Sequence, residues 1–341
     1  MPKILTVSVA AYNMDKYLDE CLESMAIPEI VDDLEVFVID DGGTDRSLEI
    51  AQSYADKYPG TFIPVHKENG GWGSTVNYSI QHATGKYFKI LDGDDWFDKN
   101  GIVRLIQELK QTKADVVVTY FYRAKQNGTI YEKISIAPDS DMRPLEKVMN
   151  QMPILNLHVL CYRTAILKVS GLVCPEHKLY CDLYYQTIPF LCVDTIQSFA
   201  FPVTYYRLGR EGQSVSVVSK IKHQDEIIWI CKDLLLHCRN AKKNDAKNYV
   251  YIMRRTAETY RVTMSFLRLN PVNRESLAKI KSLDKCLYET SQDVYEYTTN
   301  HCGKFIWLMR KTNYISYWLQ SLLNKAGNVK EPVGGGGNRS I

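Results

Sequence analysis

Over the first 125 residues, short runs of apolar and β-branched side chains alternate with stretches whose apolar positions recur at helical spacing. That alternation predicts βαβ units and a mostly parallel sheet. Ile4–Ala10 reads as the first strand. Asp15–Ala26 reads as a helix with Leu18, Cys21, Leu22 and Met25 on one face, stopped by Pro28. Leu34–Ile39 is the second strand; the turn from Asp41 to Asp45 then opens a helix carrying Leu48, Ala51, Tyr54 and Ala55. The pattern repeats as a strand at Thr61–His66, a helix at Trp72–Ala83, a strand at Tyr87–Leu91, a helix at Asn100–Gln111 and a strand at Asp115–Arg123.

Beyond residue 125 the alternation gives way to a hairpin around Asn127-Gly128 and short strands near 157–163, 195–201 and 203–208. From Lys222 onward the periodicity is helical, with long helices expected at 222–239, 244–268 and 303–324. These signals predict an α/β domain over residues 1–220 and a helical region over 221–330. A flexible tail is expected at 331–341, where four glycines stand in a row.

Composition narrows the class. With 45% hydrophobic and 24% charged residues among 341, the chain is neither disordered nor collagen-like. No stretch approaches the ~20 apolar residues of a spanning helix, and the N-terminus runs into a strand without an apolar signal core, so a cytoplasmic chain is expected. Nine cysteines, an odd number without a Cys-x-x-Cys pair, read as reduced and mostly buried thiols. The net charge of +3 divides into −2 for residues 1–300 and +5 for 301–341, a balance that gives no footprint for nucleic acid.

The segment KYFKILDGDDW, from Lys86 to Trp96, runs an apolar strand into Asp92, Asp94 and Asp95. Like charges this close repel and call for a compensating cation. Oxygen ligands at a strand end suit Mg²⁺ or Mn²⁺, which keep positions open for water and phosphate. A solvated acidic turn is the competing reading. An EF-hand loop fails, because Trp96 and Val103 stand where ligands are required. A second acidic turn, Asp40-Asp41-Gly42-Gly43, also closes a strand, and ligands of open α/β sheets collect outside such carboxyl ends. The first turn, from Ala10 to Asn13, offers Tyr12 for stacking on a flat base, and Asp41 could accept a ring N–H. The run from Gly71 to Val76 imitates a dinucleotide fingerprint, but Val76 replaces its third glycine, and Gly85-Lys86 lacks P-loop spacing.

Taken in order, VSVAAYN, VIDDGGTD, ENGGWGSTVN and KILDGDD resemble the motifs of a family 2 glycosyltransferase over the first 215 or so residues. The resemblance implies a GT-A fold, a Rossmann-like and mostly parallel sheet with helices on both faces, here followed by a C-terminal helical region. It implies an inverting, metal-dependent enzyme taking a sugar from a nucleotide-diphosphate donor, with UDP expected, to a hydroxyl of a glycan or lipid-linked acceptor. Tyr12 and Asp41, with Ala10 and Gly71 beside them, would hold the nucleotide. Asp92 would lie near the ribose or metal, and Asp94 would coordinate Mn²⁺ or Mg²⁺. Asp182 matches the family's general base, although Cys181 replaces the usual acidic neighbour. Asn77 is carried over from a motif in which Val76 departs from the family's Arg. Arg207 or Arg210 would meet phosphate, and Trp72 and Trp96 could line the sugar or acceptor pocket. His66, His158 and His177 are assigned no chemistry.

The chain lacks the Gln-x-x-Arg-Trp motif and the transmembrane pair of processive synthases, so one sugar per encounter is implied. The basic, aromatic stretch 303–325 fits either peripheral contact with an anionic membrane or packing on the body. Two rival functions are a non-catalytic nucleotide-sugar-binding subunit and, resting on the glycine run alone, a nicotinamide oxidoreductase.

Overall fold

The computed structural model describes residues 2–136 and 138–318. Strands β1 (Leu5–Ala11), β2 (Leu34–Asp40), β3 (Phe62–His66) and β4 (Tyr87–Asp92) pair in parallel in the order β3-β2-β1-β4. They are joined through α1 (Leu18–Glu23), α2 (Ser47–Lys57) and α3 (Trp72–His82). The first helix is shorter than the expected Asp15–Ala26. The short β5 (Trp96–Phe97) precedes α4 (Lys99–Gln111), which Asp98 caps by accepting from Gly101 N at 2.7 Å.

Next, β6 (Val116–Lys125) turns at Gly128 into antiparallel β7 (Ile130–Ile134), the expected hairpin. β8 (Arg143–Pro144) and α5 (Leu145–Val148) lead to β9 (Leu160–Arg163), which inserts antiparallel between β4 and β6. After α6 (Thr164–Val169) and α7 (Asp182–Tyr185), β10 (Thr195–Leu208) pairs in parallel with β6. The strands expected at 195–201 and 203–208 are this one strand. Its pairing shifts register around Pro202, which has no N–H to give the ladder.

The chain then becomes helical, as expected: α8 (Val217–Lys222), α9 (Gln224–Lys243), α10 (Tyr249–Leu267), α11 (Arg274–Thr290), α12 (Gln292–His301) and α13 (Lys304–Lys311). The continuous helix expected at 303–324 stops at Lys311, where Asn313 (φ 47°) and Tyr314 (φ 66°) leave the helical region. Residues 315–318 are helical again, while positions 319–324 of that expected helix and the tail at 331–341 lie outside the described residues.

Alternate strand residues feed two hydrophobic clusters, one on each face of the sheet. Val7, Val9, Val36 and Val38 meet Leu18 and Leu22 of α1, Tyr54 of α2, and Ile102, Leu105, Ile106 and Leu109 of α4. The last four recur at helical spacing, and burying each contributes about 1.5–3 kcal/mol. On the other face Phe88 and Ile90 join Val76 and Ile80 of α3 in a cluster that continues through Ile227, Leu234, Ile252 and Tyr260 to Met309. The helical region thus shares a core with the sheet. All nine cysteines are free thiols and six are buried, as the reduced reading expects. Among the described residues no helix is long and apolar enough to cross a membrane. α13 buries Ile306 and Met309 and turns Trp307 and Leu308 outward.

Candidate functional site

Strand register brings three turns to one edge. Ala10 pairs with Asp92 across β1 and β4, and Ala11 with Asp40 across β1 and β2. Between these strand ends lies a hollow of about 240 Å³. Ala10, Ala11 and Tyr12 line it from the first turn, Asp41 from the second, and Asp92 and Asp94 from the turn after β4. Trp72 and Thr75 of α3 complete one wall; Leu179, Tyr206 and residues from Arg210 to Val215 form the other. Tyr12 is 51% exposed, which leaves its ring accessible to a stacking partner.

Asp41 also organises the start of α3. Its Oδ1 accepts from Lys67 Nζ (2.8 Å), Gly70 N (3.0 Å) and Ser74 Oγ (3.2 Å), and its Oδ2 from Gly71 N (2.8 Å). With a single donor on Oδ2, the carboxylate retains lone-pair capacity toward the hollow. Gly71 therefore reaches the site through its backbone. It stands at φ 80°, and an added Cβ would sit 3.2 Å from His177 N. At Gly73 a Cβ would lie 2.4 Å from Pro175 O. Close packing of α3 on the 174–177 segment accounts for these glycines, and Val76 is core, so the run needs no dinucleotide. Asn77 does not join the hollow. Its amide donates to Cys174 O (2.9 Å) and accepts from Cys174 N (2.8 Å), so both ends are spent fastening α3 to that segment.

Asp92 accepts from Trp72 Nε1 at 2.7 Å. Burial, then the charge of Asp94, pushes its carboxyl up to about 7. Asp94 Oδ2 is ion-paired with Arg210 Nε and receives Gln213 Nε2 at 3.3 Å. Asp95 points inward: its Oδ1 accepts from Arg207 N (2.8 Å), while its buried Oδ2 has no hydrogen-bond partner and lies 3.8 Å from His158 Nδ1. Burial and its two acidic neighbours raise the Asp95 carboxyl well above the ordinary range. Three carboxyls in four positions, two pressed toward neutrality and one answered by a cation borrowed from a loop, fit a hard divalent ion. The chain would supply few ligands to such an ion, since among the described residues no group of three or more His, Cys, Asp or Glu side chains could hold a metal. Waters and phosphate oxygens would fill the remaining positions.

The two arginines part company. Arg207 is buried and committed: Nε donates to Asp94 O (2.8 Å), Nη1 to Gln126 O (2.7 Å) and Nη2 to Glu20, with Trp96 beneath its guanidinium at 4.4 Å. It braces the acidic turn and is closed to phosphate, while Trp96 stacks between Arg207 and Tyr205 instead of lining the hollow. Arg210 lines the hollow on a segment bounded by Gly209 (φ 94°) and Gly212 (φ 80°).

Asp182 opens α7 three positions after Leu179, and its charge acts on both Asp92 and Tyr206. Its Oδ2 accepts from Gln186 Nε2 at 2.6 Å, and burial raises its own carboxyl. Cys181, where the family has an acid, is packed into the core. Lys67 and Gln186 went unrecognised in the sequence. Lys67 follows β3 directly at the shared edge, and Gln186 stands four positions after Asp182, so each carried a signal.

The family model described as Glycosyl transferase family 2 matches residues 6–173, just under half of the chain. The chain is 33% identical over 131 residues to the uncharacterized glycosyltransferase EpsJ of Bacillus subtilis (strain 168), covering 38% of each. It is 27% identical over 214 residues to the poly(ribitol-phosphate) beta-N-acetylglucosaminyltransferase TarS of Staphylococcus aureus (strain Mu50 / ATCC 700699), covering 62% of this chain and 36% of TarS. The chain spans under two fifths of the length of these two curated relatives. The crystal structure of S. aureus TarS 1–349 in complex with UDP shares the fold, with TM-score 0.65 at 19% identity over 96% of this chain and 92% of that one. The complex of the same TarS fragment with UDP-GlcNAc matches with TM-score 0.56 at 20% identity, over 91% of this chain and 92% of that one.

Proposed function

We propose that this chain, which belongs to glycosyl transferase family 2 through its residues 6–173, moves a sugar from a nucleotide-diphosphate donor to a hydroxyl acceptor with inversion. One observation carries the reading: Tyr12, Asp41, Asp92 and Asp94 share a single hollow, with Asp182 in electrostatic reach of it. Tyr12 stacks on the base, and Asp41 Oδ2 takes its ring N–H. The fold likeness to TarS, solved with UDP and UDP-GlcNAc, supports a uridine nucleotide.

Asp94, with Asp92 two positions before it at the same strand end, would hold Mn²⁺ or Mg²⁺, which when bound neutralises charge on the departing diphosphate. Asp182 accepts the proton of the acceptor hydroxyl as that oxygen bonds to the anomeric carbon. The bond to the β-phosphate oxygen breaks on the opposite side, its electron pair leaving with the diphosphate. Arg210 stands at the same carboxylate and is the cation available to the diphosphate. The reading carries a non-processive reaction in a cytoplasmic setting.

The acceptor is a glycan or a lipid-linked hydroxyl, and the wall of the hollow supports a peripheral membrane contact. From Val215 it runs into α8, where Val217, Val218 and Ile221 are exposed. Lys220 lies over the Phe266 ring (5.4 Å) and Arg268 over Phe305 (4.1 Å), so α8, the end of α10 and the start of α13 adjoin. Flotation on phosphatidylglycerol but not phosphatidylcholine vesicles is expected; flotation on neither would remove the membrane contact.

Release of UDP from a panel of UDP-sugars tests the main reading. Wild type should release UDP in a Mn²⁺- or Mg²⁺-dependent way, and Asp94→Ala should lose both release and metal-dependent UDP binding. A wild type that binds UDP with metal but releases none from any donor would instead be a binding subunit.

A further inference from the structure

Arg255 is a buried cation with no anion against it. α10 turns Tyr251, Ile252, Arg255, Thr256, Thr259 and Tyr260 into the core, and Arg255 is 5% exposed there. Among the described residues its guanidinium forms no ion pair; Nη2 donates to Gln186 Oε1 at 2.6 Å, and the buried Nε has no partner. Gln186, 2% exposed, turns its other end to Asp182, donating from Nε2 to Oδ2 at 2.6 Å. A guanidinium kept from water is costly unless a negative charge answers it, and the charge at the far end of this chain of bonds is that of Asp182.

The chemistry of the middle link fixes the direction of the relay. Arginine only donates, so Gln186 must present Oε1 to Arg255, and its amide NH₂ must then face Asp182. A proton on Asp182 Oδ2 would meet that NH₂ head-on, whereas an ionised oxygen accepts it. Burial presses Asp182 toward its neutral form, and the charge of Arg255 is the largest influence pulling the other way.

We propose that Arg255 and Gln186 are positioning residues that act through Asp182, tying down Oδ2 and keeping the carboxylate ionised so that Oδ1 takes the acceptor's proton. This rests on the reading of Asp182 as general base. During transfer the hydroxyl proton passes to Oδ1 while the acceptor oxygen bonds to the sugar. Once the product leaves, the proton is lost to water and the charge facing the relay is restored. The helical region therefore reaches into the reaction from behind α7, through a residue some seventy positions further along the chain.

The test is the pH dependence of kcat for the full chain and four variants, Asp182→Asn, Arg255→Met, Arg255→Lys and Gln186→Met. Losing the relay should move the acid limb of kcat up by a pH unit or more in Arg255→Met, with donor KM changed less than about threefold. Arg255→Lys, which keeps a donor and a charge, should move it by less than half as much. Gln186→Met, which leaves the buried cation in place, should shift the limb in the same direction and serves if Arg255→Met does not fold. Acid limbs at the wild-type pH, with kcat reduced uniformly across the range, would overturn the relay while leaving Asp182 as base. Wild-type turnover in Asp182→Asn would overturn the base assignment and the relay with it.

Discussion

The indole N–H of Trp72 donates to Asp92 Oδ1 at 2.7 Å, joining the first residue of α3 to the last residue of β4. Strand alternation makes this contact. Phe88, Ile90 and Asp92 face the same side of the sheet, which is the side α3 covers. Trp72→Phe keeps a ring in place and removes the donor, leaving Asp92 with less to hold it ionised. UDP affinity in the presence of Mn²⁺ should fall about tenfold, the scale of one hydrogen bond to a charged group. Calorimetric titration reads it, and an unchanged Kd would reduce the contact to packing.

Asp182→Asn should lower turnover by about 10²–10⁴ while leaving UDP affinity within a few-fold, as removal of a general base does. As the proposed base, Asp182 would work when ionised, so wild-type activity should fall as pH drops through its folded pKa. Burial raises that value, which sets the acid limb above the range of a solvent-exposed carboxylate. A limb at or below that ordinary range would contradict the burial seen here.

In the proposed reaction a metal ion would have to displace Arg210 from Asp94. Arg210→Ala should therefore bind Mn²⁺ without nucleotide roughly tenfold more tightly than wild type, since one charge-assisted pair no longer has to be displaced. The same variant should gain less from added UDP, having lost a cation for the diphosphate. The electron paramagnetic resonance signal of free Mn²⁺ measures both, and equal affinities would sink the competition.

Asn77→Ala should cost about 1–3 kcal/mol of stability, because it leaves the backbone of Cys174 without either partner. Its donor KM should stay within about twofold of wild type. A large KM effect with unchanged urea midpoint would return Asn77 to the nucleotide site.

Lys89 is fully buried, donating to His158 O (2.7 Å) and Leu160 O (3.3 Å), and burial lowers its pKa to about 8. A folded value below that of the unfolded chain means the unfolded state binds more protons between about 8 and 10.5, so stability rises with pH across that window. At neutral pH both states are charged and the full cost, about 3 kcal/mol, is present. Lys89→Met removes this slope, so its stability relative to wild type should decline from pH 7 to pH 10. Urea midpoints at the two pH values give the answer; a constant difference would mean that Lys89 does not titrate in the fold.

Much of the site was legible because it is built from strand ends. Parallel strands recognisable by their apolar runs must end on one edge, and the ends of β1, β2 and β4 with the turns after them carry Tyr12, Asp41, Asp92 and Asp94, so chain order alone brings those residues together. Helical spacing likewise marks the buried faces of α4 and α10, including the position of Arg255. Periodicity reports which way a side chain points relative to its own element, and nothing about what waits on the other side.

That second matter belongs to the folded chain. Asn77 meets the backbone of Cys174, 97 positions away, and is thereby withdrawn from the hollow. Arg207 and Arg210 are three residues apart and alike in sequence, yet one is spent on Glu20 and the acidic turn while the other stands on Asp94. Asp182 acquires its counter-charge from Arg255 through Gln186. Each of these assignments depends on which groups are desolvated together after distant segments pack, and burial strengthens or cancels a charge by more than any local pattern can encode. The chain's own order of residues specifies the strands, the turns and the acids they carry; packing at long range selects which of those polar groups remain free to react.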